Sequence, residues 1–215
     1  MNTASKPTIE PRKKPVQARS TITVEAIMEA TIQVLLSHGV ERLTTTRVSE
    51  RAGVSVGTLY QYYPNKQSLL FALLEQHMEQ IASAVETACD YSHDKPLAEM
   101  VQYVVERFVD AKMQRTDISM ALYRISTEVG GPELVKRATG RLQKALGTML
   151  NTASDVNDKP EPFAIEMMMA TMSGTTRSVL EAGTASPLRI QKLREHLVLL
   201  CQSYMKSLST TPSFI

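Results

Sequence analysis

The chain has 215 residues, enough for one large domain or two modest ones. Its 43% hydrophobic and 21% charged residues lie inside the globular range and outside that of disordered or fibrous chains. Tryptophan is absent, aromatics are 5% and there are 12 methionines, so the expected core is aliphatic and thioether, which suits helices better than β-sandwiches. The net charge of +2 hides an asymmetry: residues 1–66 carry nine Lys/Arg against five Glu, and the remainder 15 against 17. That is the pattern of a terminal nucleic-acid-binding module on a neutral-to-acidic body, or of a solvated basic tail.

Residues 1–18 hold Pro7, Pro11 and Pro15 with Arg12-Lys13-Lys14 and almost no apolar side chain, so ordering them has nothing to offset its entropy and a flexible basic arm is expected. Such an arm, with Arg19 beside it, either follows a minor groove or adds sequence-independent attraction. From Ile22, the spacing of Ile27, Ala30/Thr31, Val34 and Leu35 predicts a helix over about 22–38 that stops at Gly39. Leu43 through Gly53 opens on hydroxyl residues able to cap orphan N–H groups and closes on glycine, a helix of about eight residues. Gly53-Val54-Ser55 then supplies a turn. A third short helix from Val56 to about Tyr62 ends before Pro64, because a residue preceding proline is pushed out of the α region.

Asn65 can cap a long fourth helix reaching Asp90 on the stripe Leu70, Leu74, Ile81, Val85 and Ala88. Five more follow: a fifth marked by Leu97 to Phe108, a sixth by Ile118 to Val129 and stopped by Gly130-Gly131-Pro132, and a seventh from Leu134 to Met149. Phe163–Glu181 and Leu188–Leu208 complete the set. The expected fold is therefore all-α, about nine helices: an N-terminal three-helix domain with a helix-turn-helix, and a C-terminal helical half. Boundaries are expected at 1–18 for the arm, 19–66 for the first domain and 67–215 for the second.

Two short helices joined by a three-residue turn with glycine first form the pattern of a helix-turn-helix, whose second helix can enter the major groove. In Val56-Gly57-Thr58-Leu59-Tyr60-Gln61-Tyr62-Tyr63, Leu59 falls inward at roughly 100° per residue, while Gly57, Thr58, Tyr60 and Gln61 fall outward. Gly57 allows close backbone approach, Thr58 and Gln61 can hydrogen-bond bases or phosphates, and tyrosine can donate to phosphate.

The string from Leu43 to Leu70, with Gly39 before it, resembles the TetR family of bacterial transcription regulators; its motifs cover about residues 20–75. The resemblance implies that Thr45 and Thr46 meet the DNA backbone or an adjacent base, with Arg47 beside them on phosphate. It implies base or backbone contacts from Val56, Gly57, Thr58, Tyr60 and Gln61, phosphate contact from Tyr62, and a phosphate anchor at Lys66. Tyr62 and Tyr63 stand where the family often has His and Phe, which bears on base preference rather than on the mode.

The resemblance further implies a C-terminal half that encloses a small-molecule pocket and forms a two-fold dimer through the last two helices. Leu197-Val198-Leu199-Leu200-Cys201 is apolar around the whole helix circumference, so a second partner surface is expected. The expected interface comprises Met167, Ala170, Gly174, Leu193, Leu197, Leu200 and Tyr204. The expected effector contacts are Met120, Met168 and Met172 as pliable lining, with Tyr103, Arg107, Tyr123, Arg124 and Thr171 as polar groups. Arg107 and Arg124 fit either a carboxylate head group or surface ion pairs.

No nucleophile elbow, phosphate loop, paired Cys-x-x-Cys or His-x-x-x-His occurs, so neither catalytic residues nor a metal or other cofactor is expected. No apolar run approaches the roughly 18 residues that span a bilayer, the start of the chain develops no secretory stretch, and Cys89 and Cys201 lack metal spacing, which together point to a reducing cytoplasm. The expected function is a ligand-responsive repressor that binds a pseudo-palindromic duplex operator as a homodimer and is released by a small, largely apolar effector. The alternative is a helical protein-interaction module without operator-specific binding.

Overall fold

The computed structural model describes residues 18–126, 129–156, 159–183 and 185–210. The basic arm expected over 1–18 lies, apart from Ala18, outside the described residues. Nine helices occur among the described residues: α1 (Ala18–Arg42), α2 (Thr45–Ala52), α3 (Val56–Tyr62), α4 (Lys66–Ser92), α5 (Leu97–Met113), α6 (Thr116–Ile125), α7 (Gly131–Leu150), α8 (Pro162–Glu181) and α9 (Pro187–Thr210). The fold is all-helical, an N-terminal helix-turn-helix followed by a C-terminal helical half, as the periodicity predicts.

Two compact units partition the chain. The first comprises residues up to His77 together with Ala121–Val135, and the second comprises Met78–Met120 with the residues from Lys136 onward. In the first unit Ile27, Val34 and Leu35 on α1, Val48 on α2 and Leu59 on α3 are buried, with Leu69 and Leu70 on α4. Burying a side chain of this size contributes about 1.5–3 kcal/mol, so these few residues hold the two short helices α2 and α3, which would not persist alone.

The backbone breaks between these helices follow from residue type. Gly39 adopts φ 75° and ψ 169° inside the span of α1, so the chain kinks where the sequence placed the stop and resumes a short helical stretch to Arg42. Gly53 takes the left-handed conformation at φ 67°, and its N–H donates to the Glu50 carbonyl, while the Val54 N–H donates to Ser49 at 3.0 Å. A side chain at that φ is strained, which is why the turn falls on glycine.

Helix 6 ends at Ile125, short of the expected Val129, and Gly131-Pro132 opens α7 rather than closing its predecessor. Proline fits the first turn of a helix, whose N–H groups have no partner inside it. The second unit's core is built as the composition implies: Val101, Val104, Val105 and Val109 from α5, Met149 and Leu150 from α7, Met168 and Met172 from α8, and Leu197, Cys201 and Met205 from α9. Cys89 and Cys201 are both buried free thiols, and burial pushes them up to about 12 and about 11, which leaves them unreactive near neutrality.

Candidate nucleic-acid interface

The surface expected to face DNA is assembled by caps. Thr44 precedes α2 in an extended conformation and its hydroxyl accepts from the Arg47 N–H at 3.2 Å. Ser55 does the same for α3, accepting from the Thr58 N–H at 3.0 Å and lying 2.8 Å from the Thr58 hydroxyl. At α4, Asn65 Oδ1 accepts from the Ser68 N–H at 2.8 Å while Ser68 Oγ accepts from the Asn65 N–H at 3.2 Å, a reciprocal capping box. Each cap contributes about 1 kcal/mol, and together they set the direction in which three successive helices leave the chain.

On α3, Leu59 is fully buried, whereas Tyr60 is 42% exposed and Gly57 and Gln61 are exposed. Val56, Thr58 and Tyr62 are half-buried. Tyr63, the C-cap, is buried, its N–H donates to the Leu59 carbonyl at 2.9 Å, and burial pushes its phenol up to about 12. Tyr63 is thus a packing residue beneath α3, with the Tyr62 ring centred 6.5 Å from its own. On α2, Thr45 is half-buried and Thr46 and Arg47 are exposed; Lys66, half-buried, is the first residue of α4.

Two contacts escaped sequence reasoning. The Thr45 hydroxyl and the Tyr60 phenol oxygen lie 3.1 Å apart, joining α2 to α3 across the turn. Arg47 Nη1 donates to the Arg42 carbonyl at 2.6 Å, so this guanidinium, expected only on phosphate, also closes the end of α1. The residues named from the sequence therefore come together on α2, α3 and the start of α4 within the first unit. Their partners could not be read from spacing, because they depend on how the two short helices cross.

The side chains expected to line an effector site are divided between the two units and, within each, occupy different settings. Met168 and Met172 sit in the second unit's core, and the Thr171 hydroxyl donates to the Met167 carbonyl at 2.8 Å in its own helix. Tyr103 and exposed Arg107 belong to a surface cluster: Arg107 Cζ lies 5.1 Å from the Tyr103 ring centre, the Tyr91 ring 5.0 Å from it, and Lys95 Nζ 3.8 Å over Tyr91. Tyr123, half-buried, and Arg124, exposed, fall in the first unit. Met120 lines a groove of about 520 Å³, which it shares with Thr116, Leu180, Gly183, Ala185 and Ser186.

The expected dimer residues divide by face. Met167, Ala170 and Gly174 are exposed on α8, in line with exposed Phe163. On α9, Leu200 is 54% exposed and Leu199 61%, while Leu193 and Tyr204 are half-buried. Leu197 departs from its expected place: it is buried in the unit's own core, with Cys201 and Met205 one and two turns further on. The apolar run on α9 thus covers two faces, one inside the unit and one open.

Two further arrangements were not legible in advance. Arg141 on α7 forms ion pairs with Glu79 at 2.5 Å and Glu86 at 2.7 Å, both on α4, and its hydrogen bonds hold the Glu79 carboxyl below the usual range. Lys112, near the end of α5, is 6% exposed, and burial lowers its ammonium to about 8. Among the described residues there is no group of three or more His, Cys, Asp or Glu that could hold a metal, and no helix long and apolar enough to cross a membrane.

Comparison with known proteins gives matches over both units. Residues 96–205 match the family described as tetracyclin repressor-like, C-terminal domain, and residues 27–73 match bacterial regulatory proteins, tetR family. The chain is 31% identical over 106 residues to the nucleoid occlusion factor SlmA of Haemophilus ducreyi, covering 48% of this chain and 50% of that one. It spans about half or less of the length of the first curated relatives it matches. Similar solved structures include the fatty acid degradation regulator FadR from Bacillus halodurans, with TM-score 0.67 at 17% identity over 86% of this chain and 96% of that chain. Another is the TetR-like transcriptional regulator LfrR from Mycobacterium smegmatis in complex with proflavine, with TM-score 0.55 at 23% identity over 91% and 100%. At these identities the likeness is one of fold.

Proposed function

The chain belongs to the tetR family of bacterial regulatory proteins, a non-enzymatic family of DNA-binding transcriptional regulators, and from that premise we propose that it is a repressor whose dimer binds a pseudo-palindromic operator and leaves it when a small, largely apolar effector binds. The observation that carries the DNA-binding part is the outward face of α3. Tyr60 and Gln61 stand exposed over a fully buried Leu59, on a helix whose first turn is fixed by Ser55, so the side chains that reach base edges sit on a rigid support. In this reading Val56, Gly57 and Thr58 approach the duplex with them. Thr45, Thr46, Arg47, Tyr62 and Lys66 hold the phosphates, the last at the start of a helix where partial positive charge adds to its own.

Dimerisation is supported by the apolar surface left open on two helices, Phe163 and Met167 on α8 and Leu199 and Leu200 on α9. In a monomer such a patch would face water, whereas a two-fold contact covers both copies at once. Two recognition helices one helical turn apart along the duplex then require a pseudo-palindromic site. For the effector, the groove beside Met120 and Leu180 is the candidate entrance, and the solved complex of LfrR with proflavine supports small-molecule binding in a chain of this fold. An effector that prefers the conformer with low operator affinity shifts the population toward it by as much as its affinities differ.

Enrichment of duplexes from a random-sequence library tests the proposal. The expected result is a two-fold-symmetric motif bound by a sedimenting dimer, with affinity that falls steeply as salt rises. Enrichment of no sequence, or binding by a single chain to an asymmetric site, would contradict it.

A further inference from the structure

Two hydroxyls on neighbouring helices meet on the exposed side of the first unit. Thr45 Oγ1, from the first residue of α2, and the Tyr60 phenol oxygen, from the middle of α3, lie 3.1 Å apart, and either is able to donate. Each hydroxyl carries one proton and two lone pairs, so the direction of this hydrogen bond decides what each group can offer to a third partner. A phosphate oxygen only accepts. When Thr45 gives its proton to a phosphate, only its lone pairs remain for Tyr60, and Tyr60 must donate to Thr45. The phenol oxygen then presents nothing but acceptor capacity outward. In the major groove such an acceptor meets a partner in the amino groups of adenine N6 and cytosine N4, and is repelled by guanine O6 and thymine O4.

Resting on the DNA-binding role assigned above to α2 and α3, we propose that Thr45 and Tyr60 form a directional hydroxyl relay, from Tyr60 to Thr45 to a backbone phosphate, which makes the phenol oxygen an acceptor selective for adenine or cytosine at one position of each half-site. The neighbouring groups favour this assignment. The Thr58 hydroxyl is held 2.8 Å from Ser55, so one other polar group on the outer side of α3 already has a local partner. Arg47 holds the Arg42 carbonyl through Nη1, so this side chain too already has a local partner. Tyr60 is 42% exposed and yet tethered, so its side chain loses less freedom on binding than an untethered one would.

The test uses the full chain and the duplex enriched from a random-sequence library. Affinity is measured again after each adenine is replaced by purine and each cytosine by 2-pyrimidinone, changes that remove only the exocyclic amino group. One position per half-site loses about five- to tenfold, the effect of one hydrogen bond, and Tyr60→Phe binds the unmodified duplex with that same loss while ignoring removal of the amino group. Thr45→Val releases the phenol to rotate and donate, so guanine or thymine at that position is accepted within about twofold of the enriched base, whereas Thr45→Ser keeps the preference. The thermal midpoint of each variant reports that the fold is intact. If Thr45→Val retains the wild-type base preference, or if no amino group matters in a Tyr60-dependent way, the relay is wrong while operator binding stands. If no sequence is enriched, the DNA-binding proposal fails and the relay fails with it.

Discussion

In the first unit the side chains assigned to DNA lie between Thr45 and Lys66, on α2, α3 and the first residue of α4, and every one is positioned by a cap or turn within a few residues of it. The side chains expected around an effector that fall in the second unit end in different environments: the core for Met168 and Met172, an exposed aromatic and cationic cluster for Tyr103 and Arg107, and a groove for Met120. The difference is one of distance along the chain. Local chemistry fixes where a residue on a capped short helix points, whereas a residue on a long helix points wherever packing against elements far away in sequence leaves room.

The comparison breaks most visibly at Tyr60. If α3 reads the duplex, Tyr60→Ala reduces the preference for the enriched over a scrambled duplex, about a thousandfold or more in the wild type, toward one, as measured by fluorescence anisotropy; a retained preference would remove α3 from the role. The second unit is probed by Leu200→Glu combined with Met167→Glu, on the open faces of α9 and α8. Sedimentation should show single chains, and operator affinity should drop about a hundredfold as the two half-sites lose their linkage. A dimer that survives both charges places the interface elsewhere.

Smaller effects sharpen the contrast. Lys66→Ala should weaken binding to enriched and scrambled duplexes alike and lower the slope of log affinity against log salt by about 2, one contact from each subunit of the dimer; an unchanged slope would mean that Lys66 does not reach phosphate. Lys112 provides a pH signature for the second unit. Its ammonium is lowered to about 8 by burial against an ordinary value near 10.4, so the unfolded chain binds more protons across that interval. Stability should therefore rise between about pH 8 and 10.4, by at most about 1.4 kcal/mol per pH unit, and Lys112→Met should flatten the rise in denaturant melts. A rise that persists in Lys112→Met would assign it to another group.

The least costly change is Arg141→Ala. Its two ion pairs involve side chains 30–55% exposed, so water screens them and the loss is under about 1 kcal/mol, a few degrees in thermal midpoint. Arg141 holds the Glu79 carboxyl low, and a carboxylate lowered in the folded state contributes stability above its unfolded value that disappears as pH falls through the folded one. The difference between Arg141→Ala and wild type should accordingly shrink below about pH 4.

What could be read from the chain beforehand follows the same division. The helices, the turn at Gly53-Val54-Ser55 and the cap at Asn65 were legible because each signal sits within four residues of its effect. The inward place of Leu59 and the outward place of Tyr60 followed from a 100° step on a helix only seven residues long. Leu197 and Leu200 show where that logic runs out. Both belong to a run that is apolar on every face, so the sequence carries no sign of which side meets the core, and α5 and α8, packed against α9, settle it for Leu197. The end of α6 was missed because Gly130-Gly131-Pro132 reads equally as a stop and as a start. The Arg141 fork needed the crossing of α4 and α7, which no local pattern encodes.

The most direct measurement is the ratio of affinities for the enriched and scrambled duplexes across a salt titration, made on wild type, Tyr60→Ala and Lys66→Ala together. The account predicts that the ratio collapses only in Tyr60→Ala and that the salt slope changes by about 2, one contact per subunit, only in Lys66→Ala. Equal ratios in wild type and Tyr60→Ala would contradict it.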